Sequence, residues 1–245
     1  MQDRYAGDIG DFGKFALLKA IQEQGLAVGV NWYKVEDLAS EKKADGSYKN
    51  RDGEIQISPV LRSCDEKLAD ILTNISGRSE RSIAALEKAD IIPGAIYYND
   101  AVTVQERDEW HQRALQKLNG ADIVFLDPDN GLLVKSVGAK SAKSVKYVFY
   151  KEVWDYFEHK KSVLIYNHRC RKPEKEYFDD IFEKLKENRI VKANNILAIS
   201  YHKGTVRDYI AVAASKEHFK AIKKAFAYME QGAWGKQGAF RIPAL

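Results

Sequence analysis

The chain has 245 residues and a net charge of +4, and 45% of its residues are hydrophobic. This composition is typical of a folded globular protein, excludes wholesale disorder, and fits one α/β domain over residues 1–245. Cys64 and Cys170 match no metal-ligand spacing and are too few for a disulfide framework. No signal peptide and no apolar run of roughly 18 residues is recognisable, so we expect a cytoplasmic protein with no membrane partner.

Hydrophobic spacing predicts the elements of the first half of the chain. Apolar residues at helical spacing predict a helix over residues 11–24, and a short apolar run predicts a buried strand over 26–33. The all-apolar run 123–126 is typical of a central parallel strand that is buried on both faces. The other elements predicted here are a polar loop over 36–56, helices over 64–75, 79–88 and 105–118, and a strand over 96–98.

The second half continues the alternation of strands and helices. The elements predicted are helices over 146–159, 174–188 and 216–230 and strands over 162–166, 196–201 and 209–214. The last two strands are separated by a turn-like segment and form an antiparallel hairpin. We therefore expect a mostly parallel Rossmann-like sheet, covered by helices on both faces and ending in a C-terminal antiparallel hairpin. Ligands of such sheets bind at the carboxyl ends of the strands.

The motif Asp127-Pro128-Asp129-Asn130-Gly131 directly follows the predicted central strand. Two carboxylates and an amide at a buried strand end are costly unless they are paired, and this cost favours a functional site. The alternative is a turn that merely ends the strand, since Asp, Asn, Pro and Gly are the usual turn residues.

A second polar motif lies at the start of the first predicted helix and contains Gly7, Asp8, Asp11 and Lys14. Its backbone amides and the helix dipole could contact a ligand. It is not a P-loop, because the Gly-Lys-Ser/Thr ending is missing. The alternative is helix capping by Asp8 or Asp11.

Two further strand ends carry polar residues. His168 follows the strand over 162–166, beside the predicted position of Asp127, and Asp100 follows the strand over 96–98. Basic residues follow these motifs: Lys135, Lys140, Lys143, Lys146, Arg169 and Arg171. A basic rim beside a site suits a phosphate-bearing partner such as nucleic acid, whereas the alternative is a solvated surface.

Ala6-Gly7-Asp8-x-x-Asp11-x-x-Lys14 resembles the N-terminal motif of the J-type ribosomal large-subunit adenine-N6 methyltransferases. Asp127-Pro128-Asp129-Asn130 falls where that family carries Asp-Pro-Pro-Tyr, and residues 196–214 resemble the antiparallel final strand pair of class I methyltransferases. The resemblance implies a Rossmann-like fold and S-adenosylmethionine as cofactor. It also implies that Asp127 and Asn130 hold a target amino group, while Gly7, Asp8, Asp11, Lys14 and Asp100 shape the cofactor site.

The cofactor motifs depart from that family. The segment Gly29-Val30-Asn31-Trp32-Tyr33 supplies no glycine-rich loop after the first strand. Asp129 stands in place of the second proline and Asn130 in place of the aromatic residue, so the clamp that stacks on an adenine is missing. The resemblance therefore supports the fold more directly than the chemistry.

Three functions follow from these motifs. The favoured interpretation is an S-adenosylmethionine-dependent methyltransferase-like protein that acts on nucleic acid. The first alternative is a phosphodiesterase or nuclease in which Asp127 and Asp129 bind Mg²⁺ or Mn²⁺ and His168 acts as acid or base. The second alternative is a non-catalytic binding protein on a degenerate methyltransferase scaffold. In every case we expect one cleft to contain Asp8, Asp11, Lys14, Asp100, Asp127, Asp129, Asn130 and His168.

Overall fold

The computed structural model describes residues 1–35, 57–77 and 81–244. The strands are β1 (Val28–Asn31), β2 (Ile96–Tyr98), β3 (Ile123–Leu126), β4 (Gly131–Leu132), β5 (Tyr147–Val148), β6 (Ser162–His168), β7 (Ile196–Tyr201), β8 (Arg207–Val212) and β9 (Phe240–Arg241). The helices are α1 (Ile9–Gln22), α2 (Pro59–Arg62), α3 (Glu66–Ser76), α4 (Ile83–Lys88), α5 (Arg107–Lys117), α6 (Tyr150–Glu158), α7 (Glu174–Lys186), α8 (Lys216–Gln231) and α9 (Ala233–Lys236). The loop predicted over residues 36–56 lies outside the described residues.

Seven strands form one open sheet in the order β2-β1-β3-β6-β8-β7-β9. The pairs β1–β2, β1–β3 and β3–β6 are parallel, and β8 is antiparallel to both of its neighbours, β6 and β7. Since β9 is also reversed against β7, five of the seven strands run in one direction. The protein therefore has the α/β fold with a mostly parallel sheet that its sequence predicts. None of the helices within the described residues has the length and apolarity needed to cross a membrane.

The prediction of a central parallel strand over residues 123–126 is confirmed. β3 lies between β1 and β6 and pairs with both in parallel register, and all four of its side chains are buried. Alternate residues of a strand point to opposite faces, and β3 contributes to two hydrophobic clusters. Ile123 and Phe125 pack in the cluster that contains α1 and α8, whereas Val124 and Leu126 pack with residues of α5, α6 and α7. Asp127 therefore begins its turn in the middle of the sheet, at the carboxyl end of a fully buried strand.

Helix α1 begins two residues earlier than predicted because Asp8 is its N-cap. The Asp8 side chain accepts a hydrogen bond from the backbone N–H of Asp11 at 2.8 Å. Gly13 lets the helix approach the sheet, since a Cβ atom there would lie 2.7 Å from the ring of Tyr201. The close approach brings the next residue, Lys14, to the ends of the central strands.

The helix predicted over residues 146–159 is wrong at its N-terminal end. Residues Tyr147–Val148 form β5, which pairs in parallel with β4, and the helix starts only at Tyr150. The side chain of Glu152 accepts the backbone N–H of Phe149 at 2.8 Å and fixes that start. Contacts with residues far along the chain hold the preceding segment extended, and these have no local signature. Strand β9 and helix α9 were likewise not predicted.

Candidate functional site

A buried ion cluster joins helix α1 to the end of β3. The Lys14 Nζ atom donates hydrogen bonds to Asp11 Oδ1 at 2.6 Å and to Asp127 Oδ2 at 2.7 Å. All three side chains are at least 95% buried. Asp11 and Asp127 therefore share one ammonium group. We call these three residues the lysine–carboxylate cluster.

The lysine–carboxylate cluster keeps Lys14 charged. Burial by itself lowers the pKa of Lys14, but the two carboxylates outweigh this effect and raise the pKa above its usual value of 10.5. The Nζ atom also lies 5.3 Å from the centre of the Trp32 ring. A buried cation with two anionic partners is strongly held, because removing it would leave uncompensated charges in a dry interior.

The amino group of Met1 occupies the crevice between the ends of β1 and β3. It donates to the backbone oxygens of Trp32, Tyr33 and Asp127, each at 3.0 Å. This crevice is the point at which the strand order reverses, since β2 lies on one side of β1 and β3 lies on the other. In open α/β sheets such a switch point is the usual ligand site.

Asp129 completes the surroundings of that amino group. Its Oδ1 atom lies 3.1 Å from the Met1 nitrogen, and its Oδ2 atom lies 3.4 Å from Lys146 Nζ. Burial opposes ionisation of Asp129, but these two cations outweigh it and hold the pKa of the carboxyl below its usual value of 3.8. The Asp129 carboxylate is therefore ionised in the folded protein at neutral pH.

This shift predicts how Asp129 contributes to stability. Because folding lowers its pKa, the contribution is present above pH 3.8 and is lost as the pH falls through the lower pKa of the folded state. Asp129→Asn should reduce the free energy of unfolding by about 1–3 kcal/mol at pH 6. In acid, the free energy of unfolding of this variant should decrease less steeply with falling pH than that of the wild type. Urea unfolding across this pH range measures both. Asp100→Asn, at an exposed residue, is the control. If the free energy of unfolding of the two variants depended equally on pH in acid, the stabilising role of the Asp129 carboxylate would be contradicted.

S-adenosylmethionine does not fit the crevice between β1 and β3, because the amino group of Met1 occupies it. The backbone oxygens of Trp32, Tyr33 and Asp127 suit an ammonium group, and the ammonium group of Met1 already takes all three. The implied cofactor would have to displace Met1 from this position. We assign no chemical step to it.

The same test applies to a metal ion. Asp11 and Asp127 direct carboxylate oxygens at Lys14, which supplies the positive charge that a cation would bring. Among the described residues, no three His, Cys, Asp or Glu side chains are grouped so that they could hold a metal. A hard cation such as Mg²⁺ needs several oxygen ligands, and the described part of this site does not supply them.

The turn after the motif is fixed by Asn167. Its Oδ1 atom accepts the backbone N–H of Leu132 at 2.6 Å, and its Nδ2 atom donates to the hydroxyl of Tyr177 at 2.5 Å. Gly131 has φ +114°, and any Cβ atom there would overlap the Asn167 side chain. Only glycine fits this position. The chain therefore turns sharply and then pairs as β4.

Asn130 and His168 lie together beside this turn. The backbone N–H of His168 donates to the oxygen of Asn130 at 3.1 Å. The His168 ring is exposed, and its Nδ1 atom is hydrogen bonded to the Tyr166 hydroxyl at 3.1 Å. The structure thus brings Asn130 and His168 together at the carboxyl ends of β3 and β6, adjoining Asp129.

The other predicted site residues lie elsewhere or serve the fold. Asp100 is half exposed and pairs with Arg113 at 3.4 Å, and among the described residues it makes no ion pair with the lysine–carboxylate cluster. Asp8 caps α1, and its Oδ2 atom lies 3.9 Å from Arg207 Nη2. Gly7 donates its backbone N–H to Asp11 Oδ2 at 2.7 Å and so orients that carboxylate.

The predicted basic residues divide into two groups. Lys146 is turned toward Asp129, and Arg169 donates from Nε to Asp208 Oδ2 at 3.0 Å and also contacts Ser200. The charges of Lys146 and Arg169 are therefore paired with carboxylates of the protein. The remaining four are exposed: Lys135, Lys140, Lys143 and Arg171.

The sequence does not predict the ion pair that holds the segment before β5. Arg107 Nε donates to Glu152 Oε1 at 2.7 Å, while Nη1 donates to the oxygen of Ser144 at 3.0 Å and Nη2 to that of Tyr147 at 2.6 Å. Arg107 and Glu152 are 45 residues apart in the chain. No spacing pattern in the sequence connects them.

Comparisons with known proteins add nothing to this geometry. No protein-family model matches the chain, and no curated protein sequence matches it either.

Proposed function

We propose that the protein binds nucleic acid, on a scaffold that resembles a methyltransferase. The observation that carries the proposal is the lysine segment, residues 133–146, which contains four lysines and no acidic residue. Three of these lysines, Lys135, Lys140 and Lys143, are exposed, and Arg171 adds a fourth exposed cation after β6. Phosphate groups of nucleic acid are partners that such a basic surface attracts.

The position of the lysine segment supports the proposal. The segment begins directly after β4 and ends directly before β5, and these two strands pair with each other. Arg107 also holds the backbone near its end through the oxygens of Ser144 and Tyr147. Both ends of the lysine segment are therefore held in place, next to the carboxyl ends of β3 and β6. An ordered basic surface loses less conformational entropy on binding than a disordered tail.

The scaffold part of the proposal depends on the order of the strands. The reversed strand β8 inserts between β6 and β7, and this hairpin resembles the final strand pair of class I methyltransferases. With helices on both faces, the whole would be a Rossmann-like fold. We propose binding rather than methyl transfer, because Asp127 is tied to Lys14 and Met1 fills the crevice. One fold commonly serves several functions.

The test is salt-dependent binding of a labelled single-stranded oligonucleotide, followed by fluorescence anisotropy. The double variant Lys140→Glu/Lys143→Glu should bind about tenfold more weakly or worse. The logarithm of its affinity should also depend less on salt, by about 0.7 for each lost phosphate contact. Lys220→Glu/Lys224→Glu, which changes two exposed lysines of α8, should bind like the wild type. Equal losses in both variants, or no wild-type binding at low salt, would contradict the proposal.

A second measurement separates binding from the two enzymatic interpretations. S-adenosylmethionine, Mg²⁺ or Mn²⁺ should leave the melting temperature of the wild type unchanged at millimolar concentration. A ligand that binds only the folded state raises that temperature, and the increase grows with the logarithm of the ratio of ligand concentration to Kd. A clear increase with S-adenosylmethionine would support a methyltransferase instead, and one with a divalent ion would support a metal-dependent phosphodiesterase.

A further inference from the structure

A cavity of about 430 Å³ opens beside the candidate site. It lies between the first residues of the lysine segment, the residues around the end of β6, and helix α7. Asn130 and His168 are on its wall, but the lysine–carboxylate cluster is not. The volume is within the range of pockets that bind small molecules, roughly 300–1,000 Å³.

The walls of this pocket suit a flat apolar group. Leu132, Val134 and Ile181 contribute aliphatic surface, and Tyr150 and Tyr177 contribute aromatic rings. Aromatic side chains favour stacked or edge-on contact with another ring, and nucleobases stack well on them. A ring of about the size of a base would therefore contact aliphatic and aromatic side chains in this pocket.

The lining of the pocket carries a net positive charge. Lys135, Lys172 and Lys184 belong to it, with Asp180 as the acidic residue among the lining side chains. Lys172 is bonded to Asp180 at 2.6 Å, so those two charges offset each other. Lys184 Nζ lies 5.3 Å from the centre of the Tyr150 ring, and the Asp180 carboxylate also attracts both Lys184 and Lys135. Three lysines and one aspartate still give the pocket lining a net positive charge, which attracts an anionic group.

Asn130 supplies a polar group to the pocket lining. Its side-chain amide has no hydrogen-bond partner among the described residues, and it carries both a donor and an acceptor. Asn167, by contrast, already uses its amide on Leu132 and Tyr177. The edge of a heteroaromatic ring could satisfy the Asn130 amide.

We infer that this pocket binds one nucleotide, with its base between the apolar walls and its phosphate near Lys135. This inference deepens the proposed function and rests on it for the source of the ligand. Two sources have the same chemistry, a free nucleoside monophosphate and an unpaired nucleotide within a single strand. The pocket would take either one by the same contacts.

The test titrates the full-length protein with adenosine monophosphate, with a short single-stranded oligoadenylate, and with inorganic phosphate. Val134→Trp places a large ring in the pocket at a residue that is 41% exposed, so the fold should tolerate it. Val134→Trp and Lys135→Glu should each weaken binding of the nucleotide probes by about tenfold or more, an effect well above the error of calorimetry. Lys220→Glu on α8 is the matched charge control, and inorganic phosphate should bind at least tenfold more weakly than the nucleotide.

The outcomes distinguish this inference from the proposed function. Binding of the monophosphate with this pattern of variants identifies a free nucleotide as the ligand, even if no strand binds and the proposed function fails. Binding of the strand alone, with the same pattern, identifies an unpaired nucleotide. Strand binding that is weakened by Lys140→Glu/Lys143→Glu but not by Val134→Trp would overturn the pocket assignment alone. Binding of neither nucleotide probe to a folded wild type would overturn it as well.

Discussion

Replacing Lys14 by methionine is expected to lower the free energy of unfolding by about 3–5 kcal/mol, as found when one partner of a buried ion pair is removed. The methionine fills a similar volume, so the loss arises from charge. Asp11 and Asp127 would be left in the interior without the ammonium group to which both are hydrogen bonded. Chemical denaturation followed by circular dichroism measures the change.

Lys19→Met is the matched control for Lys14→Met. Lys19 also pairs with an aspartate, Asp65, but its side chain is one-third exposed. Water screens such a pair, and its removal should cost no more than about 1 kcal/mol. Adding Asp127→Asn to Lys14→Met should recover part of the lost stability, since one buried charge disappears. Equal losses for Lys14→Met and Lys19→Met would show that the lysine–carboxylate cluster does not behave as a buried ion pair.

Arg107→Met is expected to have the second large effect, again about 3–5 kcal/mol of unfolding free energy. It leaves the buried carboxylate of Glu152 without its cation and removes the donors that hold the oxygens of Ser144 and Tyr147. Because those oxygens anchor the end of the lysine segment, the variant should also bind nucleic acid more weakly at temperatures where it remains folded. Denaturation and anisotropy measured on the same preparation test both effects.

Arg113→Met on the same helix is the control for Arg107→Met. Arg113 pairs with Asp100 at the surface, and both side chains are about half exposed. Its removal should change stability by less than about 0.5 kcal/mol. Combining Arg107→Met with Glu152→Gln should cost less than the sum of the two single changes, because the two residues form one interaction. Additive losses would argue against direct coupling.

Much of the fold could be predicted because its signals are local. The all-apolar run 123–126 indicates a strand buried on both faces, and it is the central parallel strand of the sheet. The strand predicted over 196–201 has the same bounds in the structure. Helix boundaries are harder to predict, since a cap such as Asp8 depends on one side-chain hydrogen bond. The segment before α6 was misassigned because β4 and Arg107, rather than its own residues, determine its conformation.

The candidate site could be predicted only in part. Its location at the end of β3 follows from the polar motif after an apolar strand, and Asp11, Lys14 and Asp127 do meet there. The position of Met1 in the crevice could not be predicted, because it depends on backbone oxygens that any sequence would supply. Asp100 also follows a strand of the sheet, but β2 lies at the sheet edge, where its end faces Arg113.

The fold class and the concentration of lysines over residues 133–146 can be read from the amino-acid sequence, because periodicity and composition are properties of the chain alone. Which of these charges are exposed to solvent depends on the folded structure. Lys140 and Lys146 are the same residue type on one segment, yet the first is exposed and the second faces Asp129. Such pairing depends on packing between residues distant in the chain, and it therefore leaves no pattern in the sequence. The proposed nucleic-acid surface therefore includes only the basic side chains that the fold leaves exposed.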